Sequence, residues 1–220
     1  MRIHHPAAEG ETRLTSNNAI VMVVDDDAGV RNAMRTLLKS VGLTSQLHAS
    51  AHEFLSAYKP AQAGCLVLDI RMPGMSGLEL QQELNVRGAT IPVIFMTGHG
   101  DVPMAVEAMQ HGAFDFLQKP FRDQDLLDRI QKAIARDAKL RESLVEHTRI
   151  RAHVESLTER EREVLDLMIL GKQNKAIAQD LGVSPRTIEI HRARVMEKMN
   201  VQSVAELVRM MMDLKESTTG

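Results

Sequence analysis

Five polar side chains that suit phosphoryl transfer stand at the ends of short apolar runs in this sequence. Two carboxylates, Asp25 and Asp26, follow the run Ile20–Val24, and a third, Asp69, closes another run. The other two are Thr97 and Lys119, each at the end of a later apolar run. Carboxylate oxygens bind hard divalent cations and can attack phosphorus, while an ammonium and a hydroxyl can hold phosphoryl oxygens. These residues together could form an aspartyl phosphate on Asp69.

Alternating strands and helices must bring these residues together. Apolar runs of strand length cover residues 20–24, 43–49, 65–69, 91–97 and 113–118. Amphipathic stretches with helical periodicity separate them and begin near residues 28, 50, 77, 102 and 123. This alternation predicts right-handed βαβ units and a doubly wound, five-stranded parallel sheet of the α/β class. Because all strands of such a sheet end at one edge, the five polar residues can converge there.

Each of the five residues also has an ordinary structural explanation. Asp25 and Asp26 could cap the following helix, as we expect Asp27 to do in either case. Thr97 could be a turn hydroxyl, and Lys119 a surface lysine before a proline. Their joint position at four strand ends nevertheless favours one cluster. Three neighbouring carboxylates repel one another, and Mg²⁺ or Mn²⁺ with oxygen ligands would relieve that repulsion.

The composition suits one large or two ordinary globular domains. The chain has 220 residues, of which 44% are hydrophobic and 25% are charged, and its net charge is -2. No apolar run approaches the roughly 18 residues of a membrane-spanning helix, so we expect no membrane association and a cytoplasmic location. Residues 1–18 have no apolar period and are predicted to form a flexible tail. The single cysteine, Cys65, lies within a strand, where packing is its expected role.

The helical periodicity that starts near residue 123 extends past the expected end of the sheet domain. Apolar residues keep helical spacing to about residue 153, and neither Gly nor Pro occurs between Phe121 and Leu170. We therefore predict a sheet domain at 19–135, a helical linker at 136–153 and a second domain at 154–215. A short helix followed by a polar linker is the alternative.

The second domain has the pattern of four short helices. Thr158 and Glu161 form a capping-box pattern for the first helix, and Asn174 is the predicted cap of the second. Ser184 and Pro185 open the third helix after a Gly-Val turn. Two helices joined by so short a turn are typical of a helix-turn-helix domain.

The third helix of this domain has one apolar face and one face that could contact DNA. Ile188, His191, Val195 and Met199 recur at helical spacing and should be buried, with His191 as a core or interhelical hydrogen-bonding residue. An outward Arg can read guanine, a Glu can accept from cytosine, and an apolar side chain can touch a thymine methyl. The candidate DNA-binding residues are Arg186, Thr187, Glu189, Ile190, Ala193 and Arg194, with Lys172, Lys175, Arg192 and Lys198 placed for phosphates. An ordinary solvated helix with mixed charges is the alternative.

Four segments around the predicted sheet edge resemble the signature of response-regulator receiver domains. They are Val-Val-Asp-Asp-Asp, Leu-Asp-Ile-Arg-Met-Pro-Gly, Phe-Met-Thr-Gly-His-Gly-Asp and Phe-Leu-Gln-Lys-Pro-Phe. The resemblance covers about residues 19–135 and implies a flavodoxin-like, or CheY-like, fold. It also implies that a partner histidine kinase phosphorylates Asp69. Asp26, Asp69 and the backbone carbonyl of Arg71 would bind Mg²⁺, with Asp25 acting through water.

The same resemblance implies a switch and two positions that tune dephosphorylation. Thr97 would turn toward the phosphoryl group while Phe116 rotates inward behind it, although Phe116 could also be an ordinary core residue of its strand. Arg71 and His99 occupy the positions that set how fast water removes the phosphoryl group. Because both side chains are bulky and can be cationic, we expect a phosphorylated lifetime of minutes or longer.

Residues 157–212 resemble the four-helix DNA-binding domain of the LuxR type. The matching segments are Leu-Thr-Glu-Arg-Glu-Arg-Glu-Val-Leu, Asn-Lys-Ala-Ile-Ala and Ser-Pro-Arg-Thr-Ile-Glu-Ile-His. With the receiver domain, the chain is similar to the FixJ-like branch of the NarL/FixJ transcription regulators. This implies that phosphorylation favours a homodimer with higher affinity for double-stranded DNA. RNA polymerase is a further candidate partner. Family members commonly carry Lys on this helix, so Glu189 gives the chain no inherited base preference.

Two other functions fit parts of the sequence. A phosphatase with a nucleophilic aspartate needs a second aspartate two positions later as general acid, but Arg71 stands there and cannot donate a proton. A receiver that acts only as a relay or protein-binding module would need no DNA affinity. The regulator itself is not expected to be a turnover enzyme, since it would accept a phosphoryl group and lose it slowly.

Overall fold

The computed structural model of the chain describes residues 19–98 and 102–216. The predicted tail at 1–18 and the predicted tuning residue His99 lie outside these ranges. The chain divides into two compact units, Met1–Leu140 and Arg141–Gly220. Within the described ranges, no helix combines the length and the apolar character needed to cross a membrane.

The first unit contains a parallel sheet, as the sequence predicts. Its strands are β1 (Ile20–Val24), β2 (Thr44–His48), β3 (Gly64–Asp69), β4 (Val93–Thr97) and β5 (Asp115–Gln118). The helices between and after them are α1 (Ala28–Ser40), α2 (Ala51–Ala57), α3 (Gly77–Val86), α4 (Val102–Gln110) and α5 (Asp123–Glu155). The strand order is β2-β1-β3-β4-β5, and every pair is parallel. This is the flavodoxin-like order of a doubly wound sheet, so the predicted fold class is confirmed.

Strand side chains alternate between two apolar layers. On one face, residues such as Val23 and Cys65 pack with apolar residues of α1 and α5. On the other face, residues such as Met22 and Leu68 pack with α2, α3 and α4. Burial of both faces explains why the strands have nearly continuous apolar sequences. Burial, reinforced by the charge of Asp137, raises the pKa of the Cys65 thiol to about 12, which fits the predicted packing role.

Side-chain caps define where several helices of the first unit begin. Asp27 caps α1, as predicted, because its Oδ1 accepts from the backbone amides of Gly29 at 2.6 Å and Val30 at 3.3 Å. Ser76 and Glu79 form a reciprocal capping box at the start of α3. These caps place α1 and α3 directly after the strand ends that carry the candidate carboxylates.

The helix α5 is longer than the other helices that cover the sheet of the first unit. It is a single helix of 33 residues, where the sequence left a shorter helix with a polar linker as the alternative. Its residue Asp137 is buried, and its Oδ2 accepts from the backbone amide of Gly64 at 2.8 Å. This contact, which the sequence did not reveal, attaches α5 to the first residue of β3.

The second unit continues with four further helices. They are α6 (Glu159–Ile169), α7 (Asn174–Leu181), α8 (Pro185–Lys198) and α9 (Val204–Glu216). The predicted capping box of Thr158 with Glu161 and the predicted cap Ser184 are both confirmed. The predicted cap Asn174 is wrong: Gln173 occupies the cap position and makes no side-chain cap bond. The reason is that amides of the first turn already bond to the Gln173 carbonyl, so Asn174 is inside the helix.

Candidate functional site

Lys119 brings two of the predicted carboxylates together at the carboxyl edge of the sheet. Its ammonium donates to Asp69 Oδ1 at 2.6 Å and to Asp25 Oδ2 at 3.1 Å. Its backbone amide donates to the Thr97 carbonyl at 2.7 Å, which extends the pairing of β4 with β5. The ends of β1, β3, β4 and β5 therefore meet at one pocket, as the topology requires.

Local hydrogen bonds hold the buried carboxylate of Asp25. Its Oδ1 accepts from the backbone amide of Asp27 at 2.9 Å, while Oδ2 faces Lys119. The Asp25 carbonyl accepts from the guanidinium of Arg31 at 2.7 Å. Arg31 was not among the site residues predicted from sequence. The signal available for finding it was a basic residue in the first turn of α1, four positions after the last of three acids.

The backbone that follows Asp69 holds this residue in place. The Asp69 Oδ2 accepts from the Arg71 backbone amide at 2.8 Å. The Gly77 amide donates to the Ile70 carbonyl at 2.9 Å. A Cβ atom at Gly77 would lie 2.2 Å from the carbonyl oxygen of Asp69, so only glycine permits this approach. Gly77 therefore fixes the backbone of the candidate phosphoacceptor, a role that its sequence context did not reveal.

The pocket has more negative charge than its single ammonium compensates. Burial raises the pKa of Asp69 and the charge of Asp25 adds to this effect, while the hydrogen bond and charge of Lys119 oppose it. Burial alone would lower the pKa of Lys119, but its interactions with Asp69 and then with Asp25 raise that pKa above its ordinary value. Two carboxylates thus share one cation, and a further positive charge would be stabilised beside Asp69.

The donor set of this pocket fits a hard divalent cation. Among the residues described, no group of three or more His, Cys, Asp or Glu side chains is arranged to hold a metal ion. Asp25 and Asp69 instead share the Lys119 ammonium, which relieves part of the repulsion predicted for three carboxylates. Mg²⁺ needs only one or two carboxylates because it keeps several waters. Asp69, Asp25 and the exposed Asp26 are donors of the required kind.

The predicted switch residues Thr97 and Phe116 lie on β4 and β5, and the predicted tuning residue Arg71 follows β3. Thr97 is buried, with 3% of its surface exposed, at the last position of β4. Phe116 on β5 is 39% exposed, so the alternative of an ordinary core residue is wrong. Odd and even positions of this short strand face opposite sides, and Leu117, not Phe116, is the buried one. Arg71 is exposed.

The second unit exposes the predicted face of α8. Its residues Arg186, Glu189, Ile190, Ala193 and Arg194 are all exposed, Ile190 by 50%. Thr187 is half-buried, and its hydroxyl lies 2.8 Å from the Ser184 hydroxyl.

The opposite face of α8 packs into the domain core. Ile188, Val195 and Met199 are fully buried, as predicted. His191 is half-buried, and its Nδ1 is buried without a hydrogen-bond partner within the described part of the chain. The interhelical hydrogen bond considered for His191 is therefore absent at that nitrogen, and the ring serves as packing surface.

Three of the four basic residues predicted to meet phosphates are accessible. Lys175 is exposed and Arg192 is half-buried. The Lys172 ammonium lies 2.7 Å from Asp180 Oδ2, but both side chains of this pair are about 40% exposed or more. An exposed pair of this kind contributes little stability, so Lys172 can exchange Asp180 for a phosphate.

Lys198, the fourth of these residues, pairs with a buried carboxylate, while 34% of its own side chain is exposed. Its ammonium donates to Glu161 Oε2 at 2.7 Å and to the Ser156 carbonyl at 3.1 Å. Glu161 is only 2% exposed. The structure therefore favours a structural role for Lys198 over the predicted phosphate contact, because its ammonium is already paired with a buried carboxylate.

Two family models match consecutive parts of the chain. The model of the response regulator receiver domain matches residues 21–131, and the model of bacterial regulatory proteins of the luxR family matches residues 155–211. The chain belongs to the response regulators. It is a transcription regulator of a two-component system, with a receiver domain and a LuxR-type DNA-binding domain, and the resemblance found in the sequence is confirmed.

Several characterised regulators are similar to this response regulator over most of their length. Transcriptional regulatory protein FixJ of Azorhizobium caulinodans is 50% identical over 190 residues, which cover 86% of this chain and 90% of that protein. Response regulator protein TmoT of Ectopseudomonas mendocina is 41% identical over 213 residues, 97% of each chain. The solved structure of response regulator StyR has 45% identity and a TM-score of 0.81, and it covers 88% of this chain and 98% of that one. These relatives are named as regulators, in agreement with the two family models.

Proposed function

We propose that this response regulator accepts a phosphoryl group on Asp69 from a histidine kinase and then binds DNA as a dimer. The supporting observation is the Lys119 ammonium, which lies 2.6 Å from Asp69 and 3.1 Å from Asp25. An ammonium in this position can neutralise a phosphoryl oxygen while the carboxylate carries the phosphoryl group. The phosphoryl group then acts as a signal, and the protein does not turn over a substrate.

Asp69 is the proposed nucleophile. One of its carboxylate oxygens forms a bond to phosphorus as the bond between phosphorus and the kinase imidazole breaks, and the electron pair stays with the imidazole nitrogen. Lys119 and the Thr97 hydroxyl would each hold a phosphoryl oxygen. Mg²⁺ or Mn²⁺, when bound, supplies positive charge for the phosphoryl oxygens. The residues that would hold this cation are Asp25, Asp26, Asp69 and, through its backbone carbonyl, Arg71.

The exposed face of α4 and β5 is the proposed dimer surface. Val106 and Met109 on α4 and Phe116 on β5 are exposed apolar side chains. A phosphoryl group on Asp69 would draw the Thr97 hydroxyl toward itself, and Phe116 would turn inward behind it. Because Phe116 is 39% exposed without that signal, its rotation would change the shape of the surface that a second copy meets.

The exposed face of α8 is the proposed DNA-reading surface. Side chains on it would contact base edges in a major groove, and nearby cations would contact phosphates. We assign base or groove contacts to Arg186, Thr187, Glu189, Ile190, Ala193 and Arg194, and phosphate contacts to Lys172, Lys175 and Arg192. Joining two such domains in a dimer raises the effective concentration of the second on a paired site, so affinity rises without any new base contact.

Phosphoryl uptake from acetyl phosphate tests the first step. With Mg²⁺ present, we expect intact-protein mass spectrometry to show the gain of one phosphoryl group by the wild type and none by Asp69→Asn. Asp27→Asn is the matched control, since it removes a neighbouring carboxylate while asparagine remains a good helix cap. Equal uptake by the wild type and Asp69→Asn would overturn the proposal.

Duplexes selected by the wild-type protein from a random-sequence pool test the second step. We expect Arg186→Ala and Arg194→Ala each to weaken binding about tenfold or more, because a lost base contact costs ~1–3 kcal/mol. Arg209→Ala is the matched control, since Arg209 is an exposed arginine on α9. Unchanged affinity of both α8 variants would exclude α8 as the reading helix.

A further inference from the structure

Lys198 joins the end of α8 to three other segments of the second unit. Its ammonium donates to Glu161 Oε2 at 2.7 Å and to the Ser156 carbonyl at 3.1 Å. Its own carbonyl lies 2.7 Å from His153 Nδ1, and because a carbonyl only accepts, the ring N–H donates to it. These contacts fix the last residue of α8 to the end of α5, to the turn that follows it and to the first turn of α6.

Glu161 makes this attachment firm. Its carboxylate is buried, and Oε2 also accepts from the Thr158 backbone amide at 2.9 Å. The hydrogen bond from Lys198, followed by that from Thr158, lowers the pKa of Glu161 to about 2. Because Glu161 is the buried member of the pair, removing Lys198 would leave the Glu161 charge uncompensated. Although 34% of its side chain is exposed, Lys198 is therefore favoured beside Glu161 over a phosphate, because leaving would strand a buried carboxylate.

We propose that Lys198 is a positioning residue, which sets the orientation of α8 for base recognition and makes no contact with DNA. At 1.5 Å per residue, Arg186 lies about 18 Å from Lys198 along the helix axis. If loss of the Lys198 contacts released this end of the helix, a tilt of about 5° about the packed middle of α8 would move Arg186 by roughly 0.8 Å. Such a shift disrupts a hydrogen bond to a base edge, whereas contacts to the phosphate backbone carry no sequence information. The proposal rests on the proposed role of α8 as the reading helix.

Salt dependence separates a positioning residue from a phosphate contact. Each lysine that neutralises a phosphate adds about 0.9 to the slope of log affinity against log salt concentration on duplex DNA. We would measure this slope for the full-length wild type, Lys198→Met and Lys175→Met on a duplex of scrambled sequence. We expect Lys198→Met to retain the wild-type slope and Lys175→Met, the matched control, to lose about 0.9 of it.

Sequence discrimination provides the second readout. It is the ratio of affinities for a duplex selected by the wild type and for the scrambled duplex. We expect Lys198→Met to lower this ratio about tenfold, comparable with the loss of one base contact. The double variant Glu161→Gln with Lys198→Met should lose the same discrimination. This double variant leaves no buried carboxylate without a partner, and its glutamine retains the capping box at Thr158. It therefore keeps the test valid if the single variant does not fold.

Three results would overturn the inference. A slope that falls by about 0.9 in Lys198→Met would make Lys198 a phosphate contact. Unchanged discrimination in the folded single and double variants would leave Lys198 without a positioning role. Recovery of discrimination in the double variant would assign the loss to the unpaired Glu161 charge instead of to orientation. A wild type without any discrimination would be a failure of the proposed DNA-reading function, which is a separate outcome.

Discussion

Each unit contains a lysine–carboxylate pair. The two pairs have nearly the same nitrogen–oxygen distance, but the pKa of the carboxyl group shifts in opposite directions. Lys119 Nζ lies 2.6 Å from Asp69 Oδ1, and Lys198 Nζ lies 2.7 Å from Glu161 Oε2. Burial leaves the pKa of Asp69 raised, whereas hydrogen bonding to Lys198 lowers the pKa of Glu161 to about 2. The distance between the charges therefore does not distinguish the two pairs.

The difference comes from the other groups around each carboxylate. Asp69 shares its lysine with the buried Asp25 and accepts one further backbone hydrogen bond, from Arg71. The lysine of Glu161 meets no second carboxylate within residues 19–98 and 102–216, and Glu161 also accepts from the Thr158 amide. A carboxylate with uncompensated charge favours an incoming cation or an electrophile, while a fully compensated one favours a fixed structure. The comparison thus supports the proposal that Asp69 is the reactive group and Glu161 the structural one.

Removing the lysine from the first pair should have the largest effect. We expect Lys119→Met to slow phosphoryl uptake from acetyl phosphate by roughly 10²-fold, because one preorganised donor to the developing phosphoryl charge is lost. The rate is followed by mass spectrometry of the intact protein. Lys132→Met, which changes an exposed lysine of α5, is the control and should react like the wild type. Equal rates for all three proteins would remove the functional distinction between the pairs.

Acid should weaken the second pair in a defined range of pH. Because the folded-state pKa of Glu161 is about 2 and its ordinary value is 4.5, the stability that it contributes is complete above pH 4.5 and is lost as the pH falls toward 2. We expect the amides of α6 to lose protection against hydrogen exchange as the pH falls through this range, and to lose more of it in the wild type than in Glu161→Gln. The protection of each protein at neutral pH is its reference. Glu197→Gln, at an exposed site on α8, should retain the wild-type dependence. The same dependence in Glu161→Gln would show that this pair does not stabilise the unit.

The smallest expected effect concerns the loss of the phosphoryl group. Arg71 is exposed beside Asp69, and we predict that it and His99 shield the phosphoryl group from water. Arg71→Ala and His99→Ala should each shorten the phosphorylated lifetime, which we expect to be minutes or longer in the wild type. The decay is measured after removal of acetyl phosphate. If both variants lose the phosphoryl group at the wild-type rate, residues other than Arg71 and His99 control the access of water to Asp69.

The fold and the convergence of Asp25, Asp69 and Lys119 at one edge of the sheet could be predicted from sequence, because both follow from local pattern. The five candidate residues stand where four apolar runs end, and the rule that parallel strands end at one edge of a sheet predicts that these residues lie close together. Asp27, Thr158 and Ser184 were predictable as caps for the same reason, since a cap depends on residues within one turn. Gln173 shows the limit of such patterns, because Asn174 matches a cap by residue type and is displaced by one position.

Contacts between distant segments could not be predicted in this way. Glu161 and Lys198 are 37 positions apart, and neither has a local pattern that requires the other. The approach of Gly77 to the Asp69 carbonyl depends on how α3 packs beneath β3, which sequence periodicity does not define. For this reason Lys198 was predicted to be a surface cation, and only the three-dimensional structure shows that its charge is already paired.

Sedimentation velocity gives the most direct test of the central claim, that a phosphoryl group on Asp69 changes how two copies associate. The wild type and Asp69→Asn would be compared in acetyl phosphate and Mg²⁺, with uptake measured on the same samples. We expect the wild type to shift to a dimer and the variant to sediment as it does without the donor. A phosphorylated wild type that sediments unchanged, or a variant that dimerises equally well, would contradict the claim.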